Sequence, residues 1–330
     1  PGKKIVFDLI SSRSEIYEKP GALPIVRLSS LRDDLYRRDF TINSLAIRLD
    51  GIHYGELRDE LGVMKDLQNG IVRITHKHSF REDPTRIFRA ARYMIRYDFI
   101  LSDDTLREVF AERDGISNLS AQRTRHELDL IFNEDKAGKI IMLLSAWKIL
   151  ERIHPKLKLD QSDLHRMKLA HSVSGKERIT YLWTLWLMML PIDTLEQLDQ
   201  RLHFPNSLKN TIMETSNIYK SIELFDGIRA SDLVKKLSGV SLASIKIIEL
   251  VLPMGDVKIK FNQYLDTWRY VKPKTTGKSL LELGIPPGPI YRWILEKIRD
   301  AMLDGEISSV EDETIYLHNL MHKSGGKVVS

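Results

Sequence analysis

From Pro84 onward the apolar residues return every third or fourth position, and this periodicity restricts most of the chain to helices. "TRIFRAARYMIRYDF", "DDTLREVFAERD", "SAQRTRHELDLIFN" and "AGKIIMLLSAWKILERI" all carry it, as an amphipathic helix must. Segments 162–224, 230–252 and 289–303 continue the pattern. Asp103, Ser120 and Ser231 suit helix starts, and Pro289 suits a first helical position. The run "ITYLWTLWLMML" at 179–190 is too short to span a bilayer and reads as a buried helix. Ahead of Pro84 the pattern differs. "KIVFDLI" (4–10), "PIVRLSSL" and "GIVRIT" read as short strands, and "NSLAIRL" fits a strand or a helix equally. The expected fold class is α+β: a small mixed sheet with helices, then a long all-α body.

A chain of 330 residues allows two or three domains. It has no cysteine, which excludes a disulfide framework and thiolate chemistry. The start, "PGKKIVFDLISSRSE", is charged throughout and does not read as a signal peptide, so the expected location is the cytoplasm, with no membrane partner. The net charge of +5 is unevenly spread. Arginine is dense between Arg32 and Arg96 and again in "AQRTRHE" at 121–127, a distribution that suits a polyanionic partner.

Two charged clusters carry the chemical signal. In "EDPTRIFRAARY", Asp83 before Pro84 is an N-cap signature. Arg86, Arg89, Arg92 and Arg96 then share about a third of the helix circumference at roughly 100° per residue. One reading is a capped amphipathic helix with a solvated basic face. The other is a row of guanidiniums that grips phosphates, with Asp83 and Arg86 reading a base edge. An Asp beside an Arg accepts from an exocyclic amine while the Arg donates to ring acceptors, a pairing that favours cytosine and adenine. "RRDFTIN" (37–43) is similarly open. Asp39 caps a following helix and the arginines lie on the surface, or Arg38 serves a triphosphate while Asp39 and Asn43 hold a ribose.

"DDLYRRDFTINSLAI" followed by "SFREDPTRIFRAARY" resembles the two nucleotide-binding motifs of the class II, bacterial-type tRNA nucleotidyltransferase and poly(A) polymerase family. The intervening "RDELGVMKDLQNGIVRI" resembles the family's Asp-Pro-Phe-Gly-Gly turn, departing from it at Glu60 and Val63. "LSAQRTRHELDLIF" resembles the next family helix, with Arg123 and Glu127 at its paired positions. "TTGKSLLELGIPPGPIYRWILEKIRDAMLDGEI" is similar to the tail of the subgroup that adds the terminal adenosine. The resemblance implies part of a nucleotidyltransferase head (1–79), a neck with the base-reading motif (80–155), a body (156–240) and a tRNA-binding tail (241–330). It implies addition of A, and of C as an extension, to the CCA end of tRNA from ATP or CTP without a nucleic-acid template. The partners implied are the acceptor and T arms of tRNA. Arg38, Asp83, Arg86, Arg89 and Arg92 would meet the incoming nucleotide, and Asp39 and Asn43 its ribose.

Such transfer uses Mg²⁺ held by carboxylates. The family's Gly-Gly and Asp-x-Asp carboxylate motif does not occur in these residues. Asp8 alone matches a family metal and catalytic carboxylate; its other reading is a strand-edge acid. The expectation is therefore a partial head, poor in nucleotide binding and inactive alone, with the missing carboxylates upstream. "TTGKS" is not a P-loop, since the earlier glycine would fall at Lys272, and "HKH" at 76–78 lacks metal-ligand spacing. Two alternatives remain open at this point: a poly(A) polymerase of the same family, and a non-catalytic RNA-binding module.

Overall fold

The computed structural model describes residues 8–18, 21 and 24–324. They form two compact units, Pro1–Trp186 with Pro191–Pro205, and Leu187–Leu190 with Asn206–Ser330.

The first unit begins with the antiparallel strands β1 (Arg13–Ile16) and β2 (Ile25–Leu28), with Arg13 opposite Leu28. Helix α1 (Leu31–Tyr36) follows behind a reciprocal capping box between Ser30 and Asp33. β3 (Ala46–Ile47) pairs antiparallel with β4 (Leu57–Arg58). After α2 (Val63–Gln68), β5 (Ile71–Val72) runs parallel to β6 (Ile100–Leu101). The mixed sheet is therefore three two-stranded ladders among the described residues. Between β5 and β6 lie α3 (Ser79–Glu82) and α4 (Thr85–Tyr97). The rest of this unit is helical: α5 (Asp103–Glu112), α6 (Ala121–Phe132), α7 (Ala137–Ala146), α8 (Leu150–Ile153), α9 (Gln161–Lys168), α10 (Gly175–Leu187) and α11 (Ile192–Leu202).

The apolar run at 179–190 lies largely within α10, and it is buried as expected. Trp183 and Trp186 stack with ring centroids 5.7 Å apart, and Phe132 packs edge-on to Trp183 at 4.9 Å. Each indole N–H also has an acceptor: Asp129 Oδ1 at 2.7 Å for Trp183, and the Lys158 carbonyl at 2.8 Å for Trp186. Buried indoles need such partners. No helix among the described residues is long and apolar enough to cross a membrane.

The second unit is all-α: α12 (Asn206–Lys220), α13 (Ala230–Lys236), α14 (Leu242–Val251), α15 (Asp256–Asp266), α16 (Gly277–Glu282), α17 (Pro289–Leu303) and α18 (Val310–Ser324). One core gathers Phe225, Leu233, Ile245, Ile248 and Phe261. Another gathers Leu280, Ile294, Ile298 and Leu317. Pro289 opens α17, as its fixed φ allows.

Several local expectations shift. Of "KIVFDLI", residues 4–7 lie outside the described set, and residues 8–10 are in no strand. "GIVRIT" breaks after Val72 because its second half turns to another partner. Thr41 N donates to the Arg73 carbonyl at 2.8 Å, and Phe40 bridges Ile74. Ser120 caps α6 as expected, but Ser102, not Asp103, caps α5. Ser231 is not a cap. It sits inside α13, where its N–H and hydroxyl donate to Asp304 at 2.9 and 2.8 Å. The cap comes from a residue far along the chain, which local spacing cannot show. At the turn in "RDELGVMKDLQNGIVRI", Gly62 takes the left-handed backbone at φ +70°. Val63 is helical and fully buried, so it needs no glycine freedom. Asp59 supplies the cap, accepting from Val63 N at 2.6 Å and Met64 N at 3.1 Å.

Candidate functional site

Three stretches of the first unit meet around a cavity of about 620 Å³, within the range of small-ligand sites. β1 and its flank bring Arg13, Glu15, Tyr17 and Pro24. The turn after α1 brings Arg37, Arg38, Asp39 and Asn43. The start and one face of α4 bring Asp83, Arg86, Arg89 and Tyr93. Five arginines thus face three carboxylates, an excess of positive charge that favours an anionic ligand.

The "RRDFTIN" segment is shaped by its own side chains. Asp39 does not cap an α-helix; only a single 3₁₀ turn, Thr41–Asn43, follows it. Asp39 is 4% exposed, and its Oδ1 accepts from Phe40 N and from Asn43 Nδ2, both at 2.9 Å. Its Oδ2 lies 2.7 Å from Arg89 Nη2 in ion-pair contact, yet no N–H points along that line. Arg38 donates from Nη1 to the Asn43 carbonyl at 2.7 Å and pairs through Nη2 with Asp34 at 3.2 Å. Arg37 is not a free surface charge. It reaches Asp34 at 2.7 Å, Glu15 at 2.7 Å and the Arg13 carbonyl at 3.0 Å. Asp34 is buried, which alone would raise its carboxyl. Its bonds to Arg37 and Arg38 outweigh that and hold it below the usual range.

Pro84 takes the cap position of α4, and the helix proper begins at Thr85, one residue later than expected. Asp83 still serves the first turn, accepting from Thr85 N at 3.0 Å and Thr85 Oγ1 at 2.6 Å. Arg123 Nη2 donates to the same Oδ1 at 2.6 Å. Among the described residues no hydrogen bond reaches Asp83 Oδ2.

The arginine face is not solvated at its start. Arg86 is 4% exposed and donates to Ser79 Oγ at 2.7 Å and the Arg37 carbonyl at 2.9 Å. Arg89 leans on Asp39. Burial works against its charge, but Asp39, Tyr93 and Glu127 more than offset that and raise its pKa. Arg92 turns away from the cavity lining, pairing with Glu134 at 3.2 Å and lying 3.8 Å from Glu127. Arg96 pairs with Glu134 as well. Glu127 is buried, and that burial pushes its carboxyl up despite Arg89 and Arg92.

Of the residues singled out from sequence, Arg38, Asp39, Asn43, Asp83, Arg86 and Arg89 line one cavity. Arg92, Arg123 and Glu127 stand behind it, and Asp8 is exposed and outside its lining. Sequence reasoning missed Arg13, Glu15, Tyr17 and Tyr93. Tyr93 was accessible: Arg86, Arg89 and Tyr93 fall at i, i+3 and i+7, one helix face. The β1 residues had no such signal, because only the folded hairpin brings them to α1. Tyr17 donates to Glu15 at 2.9 Å, and burial first, then Glu15, pushes its phenol well above the usual range.

Among the described residues no three His, Asp or Glu side chains converge to hold a metal ion. These residues do not fit a catalytic cation by themselves.

The chain matches the "Poly A polymerase head domain" over residues 2–73 and the "Probable RNA and SrmB- binding site of polymerase A" over 98–160. The A-adding tRNA nucleotidyltransferase of Geobacter sulfurreducens is 33% identical over 326 residues, which is 93% of this chain but 37% of that protein. The chain thus spans little more than a third of that relative. The solved apo form II of a CCA-adding enzyme superposes with a TM-score of 0.78 at 28% identity, covering 94% of this chain and 76% of that one. The Thermotoga maritima CCA-adding enzyme complexed with tRNA gives a TM-score of 0.73 at 27% identity, covering 97% and 82%. Two family models in order, sequence similarity along 93% of this chain and a fold shared with solved CCA-adding enzymes support the class II tRNA nucleotidyltransferase family for this chain.

Proposed function

We propose that the protein adds A, and C where its geometry allows, to the CCA end of tRNA from ATP or CTP, reading the base with its own side chains. The observation that carries this reading is the convergence of Asp83, Arg86, Arg38, Asp39, Asn43 and Arg89 on one arginine-rich cavity. Asp83 Oδ1 is saturated, so its free Oδ2 is the acceptor for an exocyclic amine. Arg86 is fixed by Ser79 and the Arg37 carbonyl, and its remaining N–H groups would donate to ring acceptors. Both are held before any ligand arrives, which lowers the entropic cost of recognition. Guanine and uracil present a carbonyl where cytosine and adenine present the amine, so Asp83 would repel them.

Arg38 and Arg89 would take phosphate oxygens, and Asp39 with Asn43 the ribose. Arg123 acts behind Asp83. Arg92 and Glu127 buttress α4 against α6 rather than touch the nucleotide. Mg²⁺ would supply charge neutralisation at the phosphates. Asp8 is one candidate carboxylate to hold it, and the others would have to come from beyond the described residues. The segments 1–79, 80–155, 156–240 and 241–330 are assigned head, neck, body and tail, the tail gripping the acceptor and T arms. We place the activity in the cytoplasm with the tRNA pool.

The test is single-nucleotide extension by the full-length gene product and by the 330-residue chain. The substrates are tRNAs ending before CCA, after C and after CC, each with Mg²⁺ and ATP or CTP. Addition of one A to the CC end supports the reading. Long A tracts on any RNA would point to poly(A) synthesis. Bound tRNA without addition by either protein would overturn the catalytic reading and leave an RNA-binding module.

A further inference from the structure

We propose that Tyr93 is a positioning residue for the sugar of the bound nucleotide, its phenol oxygen holding the Asn43 amide so that the amide oxygen faces the cavity as an acceptor. This rests on the nucleotide reading given above. Asn43 Nδ2 donates to Asp39 Oδ1 at 2.9 Å and to Tyr93 Oη at 3.3 Å. An amide nitrogen has two N–H groups, and both are used. Turning the amide over would set its oxygen against the Asp39 carboxylate, so Asp39 fixes this orientation and the phenol oxygen accepts the second N–H. No donor among the described residues reaches Asn43 Oδ1, and Asp39 Oδ2 has no aligned donor either. Two acceptors without donors, Asn43 Oδ1 and the buried Asp39 Oδ2, therefore belong to neighbouring residues that line the cavity.

The phenol is itself held firmly. Its ring meets the edge of Phe40 at a centroid distance of 5.6 Å and stacks on Tyr97 at 6.0 Å. Arg89, one turn earlier on α4, also lines the cavity. With a lone pair turned to Asn43, the hydroxyl has its own hydrogen left to donate. The wall thus offers two acceptors and one donor. That pattern fits a sugar carrying adjacent hydroxyls, which are both donors and acceptors. A phenylalanine would fill the same aromatic cluster, so packing does not require the hydroxyl.

The experiment compares the full-length gene product with its Tyr93→Phe variant. It reads Kd for ATP, 2′-deoxy-ATP and 3′-deoxy-ATP by calorimetric titration with Mg²⁺ present. The expected result is a roughly three- to tenfold loss of ATP affinity, with little change for the deoxy analogue that lacks the hydroxyl being read. The ATP preference then shrinks by the same factor while the thermal midpoint holds. Equal weakening for all three nucleotides, or an unchanged preference, overturns the inference and leaves Tyr93 as packing. Tyr97→Phe, in the same aromatic stack, should keep the wild-type preference; an equal shift there also overturns it. A wild-type protein that binds no ATP would instead sink the nucleotide reading itself, and this inference with it.

Discussion

Asp66 and Asp39 are buried to nearly the same degree, 5% and 4% exposed, and each lies against an arginine. Their surroundings differ in one respect. Asp66 is filled: Arg73 donates from Nε at 3.0 Å and Nη2 at 3.1 Å, and Thr41 Oγ1 donates at 2.7 Å. Nothing is left over for a ligand. Asp39 is half filled, with Oδ1 saturated and Oδ2 short of an aligned donor. Asp83 repeats the half-filled pattern, with three donors on Oδ1 and, among the described residues, none on Oδ2. A saturated buried carboxylate is a structural tie that fastens α2 to the turn carrying Asn43. A buried carboxylate left with an open lone pair, as in Asp39, costs stability, and both half-filled acids border the cavity.

The strongest break of this contrast is Asp83→Ala. If its free oxygen reads an amine, the preference for ATP over GTP should fall roughly 10- to 100-fold, the span of one good base contact. The tRNA affinity should stay near wild type. An equal loss of tRNA binding would make Asp83 a helix-start residue only. Next is Asp66→Asn, which should lower unfolding stability by about 2 kcal/mol, as for a lost charged hydrogen-bond set. Urea titration would check this, with an unchanged slope and ATP affinity of the folded protein nearly intact.

Asp39→Asn should show the inverse, with ATP affinity down about tenfold and a smaller loss of stability than Asp66→Asn. If the two variants behave alike in both assays, the distinction between filled and half-filled acids fails. The smallest effect belongs to Glu127, whose folded pKa is raised by burial above its ordinary value of 4.5. The sign follows from proton linkage. Stability linked to its protonation is fully present below about pH 4.5 and is lost as pH rises through the higher folded value. Glu127→Gln should flatten that part of the stability-versus-pH curve, measured by urea midpoints between pH 4 and 7. A profile parallel to wild type would show that Arg89 and Arg92 cancel the burial.

The two charged motifs were readable in advance because they are local. "RRDFTIN" and "EDPTRIFRAARY" each place their polar atoms within one or two turns, and six of the residues they nominate do line the cavity. Arg86 illustrates the limit. Its place near the base-reading acid was legible, but its burial and its bonds to Ser79 and the Arg37 carbonyl were not. Arg86→Ala would therefore destabilise the fold as well as disturb the ligand. Arg92 marks another limit: helix geometry put it on the same broad face, yet Glu134 from beyond α6 draws it aside.

The sequence by itself determined the α+β class, the long helical run, the burial of the double-tryptophan helix and the kinship of the two motifs. Periodicity and short-range spacing encode all of these. Only the tertiary structure decided which acids are saturated and which are open, that Asp304 rather than a neighbour caps α13, and that β1 and its flank lend Arg13, Glu15 and Tyr17 to the cavity. Those outcomes depend on hydrogen-bond partners brought together from distant positions, and the chain's linear order does not say which donor arrives first at a buried oxygen.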